Sequence, residues 1–533
     1  MTRRLPPVVV PLLLPFVVVA LGVGGLLVTP QGFGMIAEVG LNQAMLLGDT
    51  VLYGALTATS TTLLGWLVAH VLHVYVVPGR RVLHVLALAP LLMPSVTFAM
   101  ALVMLFGNSG LVVRAFGLSG GGIYGLAGLV LAGTWARLPL AYLAVAAAYR
   151  ALDVRVAEAA ADLGASPWRI VRSVWLPRLW PTLVATACVV MADTVADLAV
   201  PLVLGGDFGT LAGRLYQAAS GEGDLVRAAA YAVWLLPMGL VLMPLARRVA
   251  RRPAAPGAPR NVARGRCTGR GALLVALAWM AVAFSALLLA SVAAGSVMTA
   301  VGVDGRLTLA HFVDVLAGTQ TRALATSLLV ALLVTPAVMG LASLIAVGPL
   351  FRPPTVTRRL LQTAASLPGV VVGLGAYGML AQAGLGAGGG ASSGVVFTLG
   401  SVGVVALVHL MRFGPAATVP LLRTAETTAG AVRDTAHVLG ARRRDVARAL
   451  LWPRLRPEFV RGTVTMFARS LTAISSVVLL TNAQAPLLSV RMLVEVDAGR
   501  LSAAAAMNVT LAALVGATAL AGVLLSPPQR RMG

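Results

Sequence analysis

The chain contains no lysine, and it has few charged residues, few aromatic residues and two cysteines. All 41 basic residues are therefore arginine, and charged residues make up 11% of the 533 positions, against roughly 25% in soluble domains. A phosphate-binding loop of the G-x-x-x-x-G-K-[ST] type requires a lysine, so this chain cannot supply one. We expect no cofactor in the chain itself, and any ATP would be bound by another polypeptide. Cys188 lies in an apolar run and Cys267 in an arginine-rich segment, which excludes a disulfide framework.

Long apolar runs make up most of the sequence. Hydrophobic residues account for 58% of the chain, and the mean hydropathy is +0.90. Runs of about 20 apolar residues are long enough to cross a bilayer as helices. We therefore predict an all-α, polytopic membrane protein with about twelve transmembrane helices in two six-helix halves. The predicted spans are 5–29, 49–77, 82–106, 123–148, 182–204, 228–246, 272–294, 323–348, 360–382, 395–421, 459–481 and 502–525. The first is expected to be retained rather than cleaved, because no A-x-A site follows it.

The arginines are concentrated in short loops between the apolar runs. The net charge of +23 therefore follows the positive-inside pattern of membrane proteins, and we expect no nucleic-acid partner. The loops expected to be cytoplasmic are 80–81, 149–181, 247–270, 358–359, 423–458 and 530–531. Both termini would then face the cytoplasm. The segment 249–270, rich in arginine and proline, would connect a first half, 1–248, to a second half, 271–533.

Two of these charged segments share one residue pattern, 276 residues apart. In each, an acidic residue is followed six positions later by a glycine, and a proline stands thirteen positions after the glycine. These residues are Glu158, Gly164 and Pro177 in segment 150–181, and Asp434, Gly440 and Pro453 in segment 423–458. The same spacing twice in an otherwise apolar chain indicates a duplicated docking element rather than chance.

The repeat extends beyond these segments. Further pairs at nearly the same offset are Met93-Pro94 with Leu367-Pro368, Arg137 with Arg412, and Asp193 with Arg469. A nearly constant offset over more than a hundred residues indicates gene duplication. Two halves of parallel topology imply a pseudo-two-fold axis along the membrane normal.

The pattern resembles the inner-membrane permeases of binding-protein-dependent ABC importers, whose hallmark reads E-A-A, three residues, G, nine residues, then I-x-L-P. The first copy matches it at Glu158, Ala159, Ala160, Gly164, Val174, Leu176 and Pro177. The second copy keeps Ala436, Gly440 and Pro453, with Asp434, Thr435, Leu450 and Trp452 as replacements. As a fused two-copy permease of this size, the chain resembles the permeases of the ferric-iron, aminoethylphosphonate and thiamine importers. The resemblance implies the fold of type I ABC importer permeases.

Local sequence signals support a docking role for the first copy. Residues 153–163 predict a short helix that Gly164 ends, and a second helix begins near Pro167. Small apolar residues at Ala157, Ala160 and Ala161 would permit close approach of a partner. The alternative is an ordinary solvated loop with a charged face. The predicted ATPase-docking residues are Glu158, Ala159, Ala160, Gly164, Pro177, Asp434, Ala436, Gly440 and Pro453.

Charged residues inside a membrane helix are costly unless they are paired or face water. Asp193 and Asp197 lie on one face of the fifth predicted span, and Arg469 occupies the position equivalent to Asp193. We hypothesise that Asp193 and Arg469 face each other as a gate pair. The alternative is that each is satisfied within its own half.

Thr472, Ser475 and Ser476 could also line the translocation path, although small polar residues more often allow close helix packing. His70 and His73 suit an interface better than a metal site. We expect no metal site. No catalytic grouping is recognisable in the sequence either, so a transport subunit is favoured over an enzyme.

The resemblance implies a complete transport system. The chain would be the permease of an ATP-driven importer in the inner membrane of a bacterium, embedded in the lipid bilayer. Its partners would be two copies of an ATPase subunit and an extracytoplasmic solute-binding protein. Ferric iron is the first expected substrate, followed by aminoethylphosphonate and thiamine. The alternative is a secondary transporter with internal repeats and no ATPase partner.

Overall fold

The computed structural model describes residues 10–28, 30–117, 122–250, 269–347, 355–383, 394–438, 447–482 and 485–525. The helices of the first half are α1 (Val10–Leu27), α2 (Pro30–Asn42), α3 (Ala44–Val74), α4 (Arg80–Leu88), α5 (Val96–Phe106), α6 (Leu111–Phe116), α7 (Leu126–Ala151), α8 (Val154–Asp162), α9 (Pro167–Ile170), α10 (Leu176–Val195), α11 (Ala199–Leu204), α12 (Leu211–Tyr216) and α13 (Leu225–Ala250). A 3₁₀ turn, Ala89–Leu92, follows α4, and π-helical turns occupy Val171–Trp175 and Gln217–Glu222.

The second half begins with α14 (Arg270–Ser296) and a short antiparallel hairpin, β1 (Met298–Ala300) and β2 (Asp304–Leu307). The following helices are α15 (Ala310–Ala317), α16 (Thr321–Val347), α17 (Thr355–Ala364), α18 (Gly369–Gln382), α19 (Gly394–Val438), α20 (Trp452–Thr472), α21 (Leu488–Asp497) and α22 (Leu501–Leu525). A π-helical turn, Ala447–Leu451, precedes α20. The predicted all-α, polytopic class is confirmed.

Nine helices of the described part are long and apolar enough to span a membrane, or up to eleven if each of two bent helix pairs counts as one span. The predicted span 459–481 is wrong in its bounds. The corresponding helix, α20, begins at Trp452 and ends at Thr472. This helix is not among the nine or the two pairs, since Arg454, Arg456, Glu458 and Arg461 interrupt its apolar character.

Three predicted spans are broken rather than continuous. Span 182–204 is divided between α10 and α11, and in the other two a proline marks the break. Span 82–106 is divided between α4 and α5, where Met93 is extended (φ −121°, ψ 146°) before Pro94. Span 360–382 is divided between α17 and α18, which meet at 90° beside Pro368. A proline disfavours helical conformation in the residue before it. The repeated X-Pro pair therefore encodes a break at the same place in both halves.

The two halves repeat one packing scheme. In the first, α3, α7 and α10 pack against each other, and in the second α16, α19 and α20 do the same. Their buried side chains join in a core that contains residues of both halves. The boundaries 1–248, 249–270 and 271–533 stay a prediction.

The first long helix of each half packs against the other half. Helix α1 lies along α18, and α14 lies along α5. The α1–α18 contact is so close that a Cβ atom on Gly22 would lie 1.9 Å from the carbonyl oxygen of Gly375. Small residues allow helix backbones to approach in a membrane protein, where packing drives association. This exchange of helices holds the halves together.

Candidate functional site

The first charged segment folds as the sequence predicts, into a helix, a tight turn and a second helix. The carboxylate of Asp153 accepts a hydrogen bond from the amide of Arg155 (3.0 Å) and so caps the start of α8. Gly164 ends α8 in the left-handed region, with φ of 81°. The amide of Ala165 then donates to the carbonyl of Ala160 (2.9 Å), as in a glycine-terminated helix end. Both helix ends are therefore specified by local sequence.

The exposed apolar stripe of α8 differs from the predicted one. Ala157 was predicted to face a partner, but it is buried in a cluster with side chains of α3, α7, α10 and α14. Val156 and Leu163 are exposed on the opposite side, with Leu163 88% exposed. Ala159 is also exposed, between them on the same helical face. An apolar strip of three residues therefore points away from the protein.

The other predicted docking residues of this segment are exposed or half-buried. Glu158 is exposed, Ala160 is half-buried, and Pro177 is exposed in the first turn of α10. Trp168 on α9 adds a large exposed ring. Most of the predicted first-copy residues are thus accessible to a partner.

The second charged segment does not repeat this shape. Helix α19 continues without a break from Gly394 to Val438 and includes the backbone of Asp434 and Ala436. Gly440 lies outside the described residues, and Pro453 is exposed in the first turn of α20. Alanine is a poor N-cap, and Ala429 stands where the first copy has the capping residue Asp153. The unbroken helix is consistent with that missing cap.

Arg137 forms the centre of a buried ion-pair cluster in the first half. Its Nε lies 2.9 Å from Oδ2 of Asp193, and its Nη2 lies 2.9 Å from Oδ2 of Asp197. The side chains of Arg137 and Asp197 are 5% and 6% exposed, whereas that of Asp193 is 44% exposed. The hydroxyl of Ser95 donates to Asp197 (3.2 Å). Two carboxylates on successive turns are thus neutralised largely by one guanidinium.

The proposed direct pair of Asp193 with Arg469 is not formed in this structure. Asp193 pairs with Arg137 instead, because α7 and α10 are neighbours in the same half. Sequence reasoning had noted Arg137 only as a repeated position and missed its role as the partner. The signal available was a lone arginine in an apolar span, which requires a nearby carboxylate.

The equivalent positions of the second half carry two arginines, Arg412 on α19 and Arg469 on α20. Each acts electrostatically on Asp193, and Arg469 also acts on Arg412. The Nε of Arg412 lies 3.2 Å from where a Cβ atom of Gly369 would be. Gly369 is the counterpart of Ser95 at the same X-Pro break. The glycine therefore makes room for the guanidinium of Arg412.

The two halves meet beside this cluster. The amide of Leu198 donates to the hydroxyl of Ser475 (3.3 Å), between positions that are nearly equivalent in the repeat. Thr472 donates within its own helix to the carbonyl of Ala468 (2.9 Å). Ser476 is buried, and its carbonyl lies 2.5 Å from where a Cβ atom of Gly373 would be. Ser475 thus contacts the other half, while Thr472 and Ser476 make packing contacts, and their role in a path stays a prediction.

His70 of α3 and His84 of α4 are hydrogen-bonded to tyrosines of α7, whereas Nδ1 of His73 lies 2.7 Å from the carbonyl oxygen of Ala69. Nδ1 of His70 lies 2.8 Å from the hydroxyl of Tyr149, and Nδ1 of His84 lies 2.5 Å from that of Tyr142. Within the described ranges, no group of three or more metal-binding side chains occurs. These contacts fit a role in helix packing.

Part of this chain is similar to known proteins, and that part contains both the turn at Gly164 and the ion-pair cluster of Arg137. Residues 61–254 match the family model described as the binding-protein-dependent transport system inner membrane component. A probable ABC transporter permease of Sinorhizobium fredii is 33% identical over 205 residues, which are 37% of this chain and 35% of that protein. A putative ferric transport system permease of Haemophilus influenzae is 26% identical over 25% of this chain and 22% of its own length. The thiamine transport system permease of the same organism is 28% identical, over 32% and 33%.

The alignments with these three relatives span about a third of each relative or less. The family match nevertheless includes the helix–turn–helix around Gly164 and the ion-pair cluster of Arg137. Residues 61–254 are therefore similar to the inner-membrane components of binding-protein-dependent transport systems, and the resemblance of the chain to the permeases of ABC importers is confirmed.

Proposed function

We propose that this chain is the membrane subunit of an ATP-driven importer. It crosses the inner membrane of a bacterium many times, with both termini in the cytoplasm. An extracytoplasmic binding protein delivers a small solute, and two copies of a separate ATPase dock on the segments around Gly164 and Gly440. The chain itself has no enzymatic role. The family match over 61–254 and the absence of lysine support this division of labour.

The observation that carries the proposal is the exposed apolar strip on α8. Exposed apolar groups grouped on one helix face mark a binding surface more often than scattered ones do. Val156, Ala159 and Leu163 form such a strip, and the turn at Gly164 fixes it against α9. A short helix held at both ends can act as a rigid lever. Closure of the ATPase subunits on ATP would move α8 and shift the packed helices behind it.

Ferric iron is the first proposed substrate, then aminoethylphosphonate and thiamine. The relatives include permeases whose names specify ferric, thiamine and molybdenum transport. This range supports a small solute, and uptake measurements must select among the candidates.

Docking is tested by copurification of the ATPase with the full-length chain. Leu163→Asp, at the C-terminal end of the apolar strip, is expected to lower the ATPase recovered by about tenfold or more, because a buried unpaired charge destabilises an interface. Ser173→Asp is the matched control, since it adds the same charge to an exposed residue of the π-helical turn that follows α9. Equal recovery with both variants would refute docking on this strip. A secondary transporter would recover no ATPase in any variant.

Substrate is tested by uptake of radiolabelled ferric iron into iron-starved cells with and without the gene. Loss of ATP-dependent uptake, restored by the wild-type chain but not by a Gly164 and Gly440 double mutant, is the expected result. Unchanged iron uptake would reject iron and leave the importer assignment in place. Labelled aminoethylphosphonate and thiamine would then be measured in the same cells.

A further inference from the structure

The repeat places opposite charges at equivalent positions of the two halves. Arg137 of the first half corresponds to Arg412, Asp193 corresponds to Arg469, and Asp197 corresponds to Ala473. The first half therefore contributes one arginine and two carboxylates, and the second contributes two arginines and no carboxylate. The halves are alike in fold and unlike in charge at this point.

The first-half charges are satisfied, whereas the second-half charges are not. Arg137 bonds both Asp193 and Asp197 at 2.9 Å. Among the described residues, neither Arg412 nor Arg469 forms an ion pair. Asp193 is the described carboxylate that attracts Arg412, and Arg469 repels it. Three guanidinium groups thus share two carboxylates, which leaves one positive charge in excess.

This excess charge lies where the two halves meet, among side chains that are not fully buried. The hydrogen bond from Leu198 to Ser475 crosses the boundary between the halves a few residues away. Arg469 is exposed, and Asp193 keeps 44% of its side chain exposed although α10 is packed on three sides. An unpaired arginine inside a membrane protein is tolerated when it faces a water-filled cavity or path. The interface between repeats is also where transported solutes bind in other transporters.

We infer that Arg412 and Arg469 form an anion-attracting station on the path between the halves, so that the transported solute carries anionic oxygens. This inference rests on the proposed importer function and narrows its substrate. Guanidinium groups bind carboxylate, phosphonate and other oxyanions through forked hydrogen bonds. A phosphonate, a metal oxyanion or a ferric ion wrapped in carboxylates meets this requirement. A bare ferric ion or the thiamine cation is repelled.

The local potential is measured directly with charged thiol reagents on the full-length chain in detergent. The background is Cys188→Ser with Cys267→Ser, and the reporter is Thr472→Cys, one turn beyond Arg469. Rates are compared for anionic sulfonatoethyl and cationic trimethylammonioethyl methanethiosulfonate, each relative to a small free thiol. We expect the anionic reagent to react about tenfold faster than the cationic one. This is the low end of the rate increase that clefts lined by one sign of charge give to ions of the opposite sign. Equal rates, or no reaction with either reagent, overturn the inference.

Substitutions identify the source of the potential. Arg412→Gln combined with Arg469→Gln is expected to abolish the preference, and Lys at both positions is expected to keep it. Arg461→Gln is the matched control, because it removes the same charge from the same helix at a residue paired with Glu458 (2.8 Å). A preference that survives the double Gln substitution, or falls equally in the control, contradicts the assignment. If the double Gln variant does not fold, the ratio of the two reaction rates in the Thr472→Cys chain alone decides whether the inference stands.

Two further readouts separate the outcomes. Protection of the reporter by aminoethylphosphonate, molybdate or ferric citrate distinguishes a free oxyanion from a carboxylate complex, and protection by none of them contradicts a solute station. ATPase copurification is scored on the same preparations. In the reporter chain with both arginines intact, the absence of a charge preference with the ATPase retained refutes the station alone, whereas a preference without any ATPase refutes the importer assignment alone.

Discussion

Gly22 of α1 and Gly375 of α18 lie back to back across the boundary between the halves, with no room for a side chain on Gly22. A Cβ atom there would lie 1.9 Å from the carbonyl oxygen and 2.6 Å from the Cα of Gly375. Both obstacles are backbone atoms, so the clash is relieved only by moving a helix. This contact is part of the exchange in which each half packs its first helix on the other.

Gly22→Ala is therefore expected to destabilise the protein by about 1–3 kcal/mol, the usual range for overpacking. The measurement is the thermal midpoint of unfolding in detergent. Gly24→Ala is the control, since nothing lies within 4 Å of a Cβ atom at Gly24, and alanine favours a helix over glycine. Equal midpoints for the two variants would contradict the close contact.

We expect removal of the Arg137 side chain to lower the stability of the protein strongly. Arg137→Gln leaves the buried carboxylate of Asp197 without its guanidinium partner, and breaking a buried pair from one side costs about 3–5 kcal/mol. Arg227→Gln is the control, because its partners Glu222 and Asp224 are largely exposed and such pairs contribute at most about 1 kcal/mol. Addition of Asp197→Asn to Arg137→Gln should recover part of the loss in thermal stability. No recovery would count against the ion pair as the cause.

Gly164→Ala should weaken coupling without unfolding the membrane core. Its φ of 81° disfavours any side chain by about 1–2 kcal/mol, while the space around it is open. Substrate-stimulated ATP hydrolysis by the reconstituted complex is expected to fall, and thermal stability is expected to change little. Gly117→Ala carries similar strain (φ 62°, open space) away from the docking surface and should leave stimulation intact. Full stimulation in Gly164→Ala would mean that the turn is not required.

Asp153→Ala removes the hydrogen bond to the amide of Arg155 that caps α8. The expected cost is about 1 kcal/mol of helix stability, seen as faster amide hydrogen exchange across Val154–Asp162. Asp153→Asn keeps a side-chain oxygen that can accept the bond and should retain protection. If both variants exchange alike, the cap does not hold the start of α8.

Much of this architecture follows from local sequence signals. Apolar runs specify the membrane helices, and the cap Asp153 and the turn at Gly164 specify the helix–turn–helix of α8 and α9. The divided spans were missed because hydropathy is insensitive to a break, although Pro94 and Pro368 encode one. The true partner of Asp193 was missed because ion pairing depends on which helices are neighbours, and α7 brings Arg137 within reach. Which face of α8 stays exposed also depends on packing, as the burial of Ala157 shows.

The joining of both halves in one chain has an electrical consequence. A permease assembled from two identical subunits must place the same residue on both sides of its symmetry axis, so the transverse field on that axis is zero. Here Asp193 and Arg469 occupy equivalent places with opposite charge. The boundary between the halves is therefore polarised from one half to the other, and a solute with separated charges would be turned if it passed there.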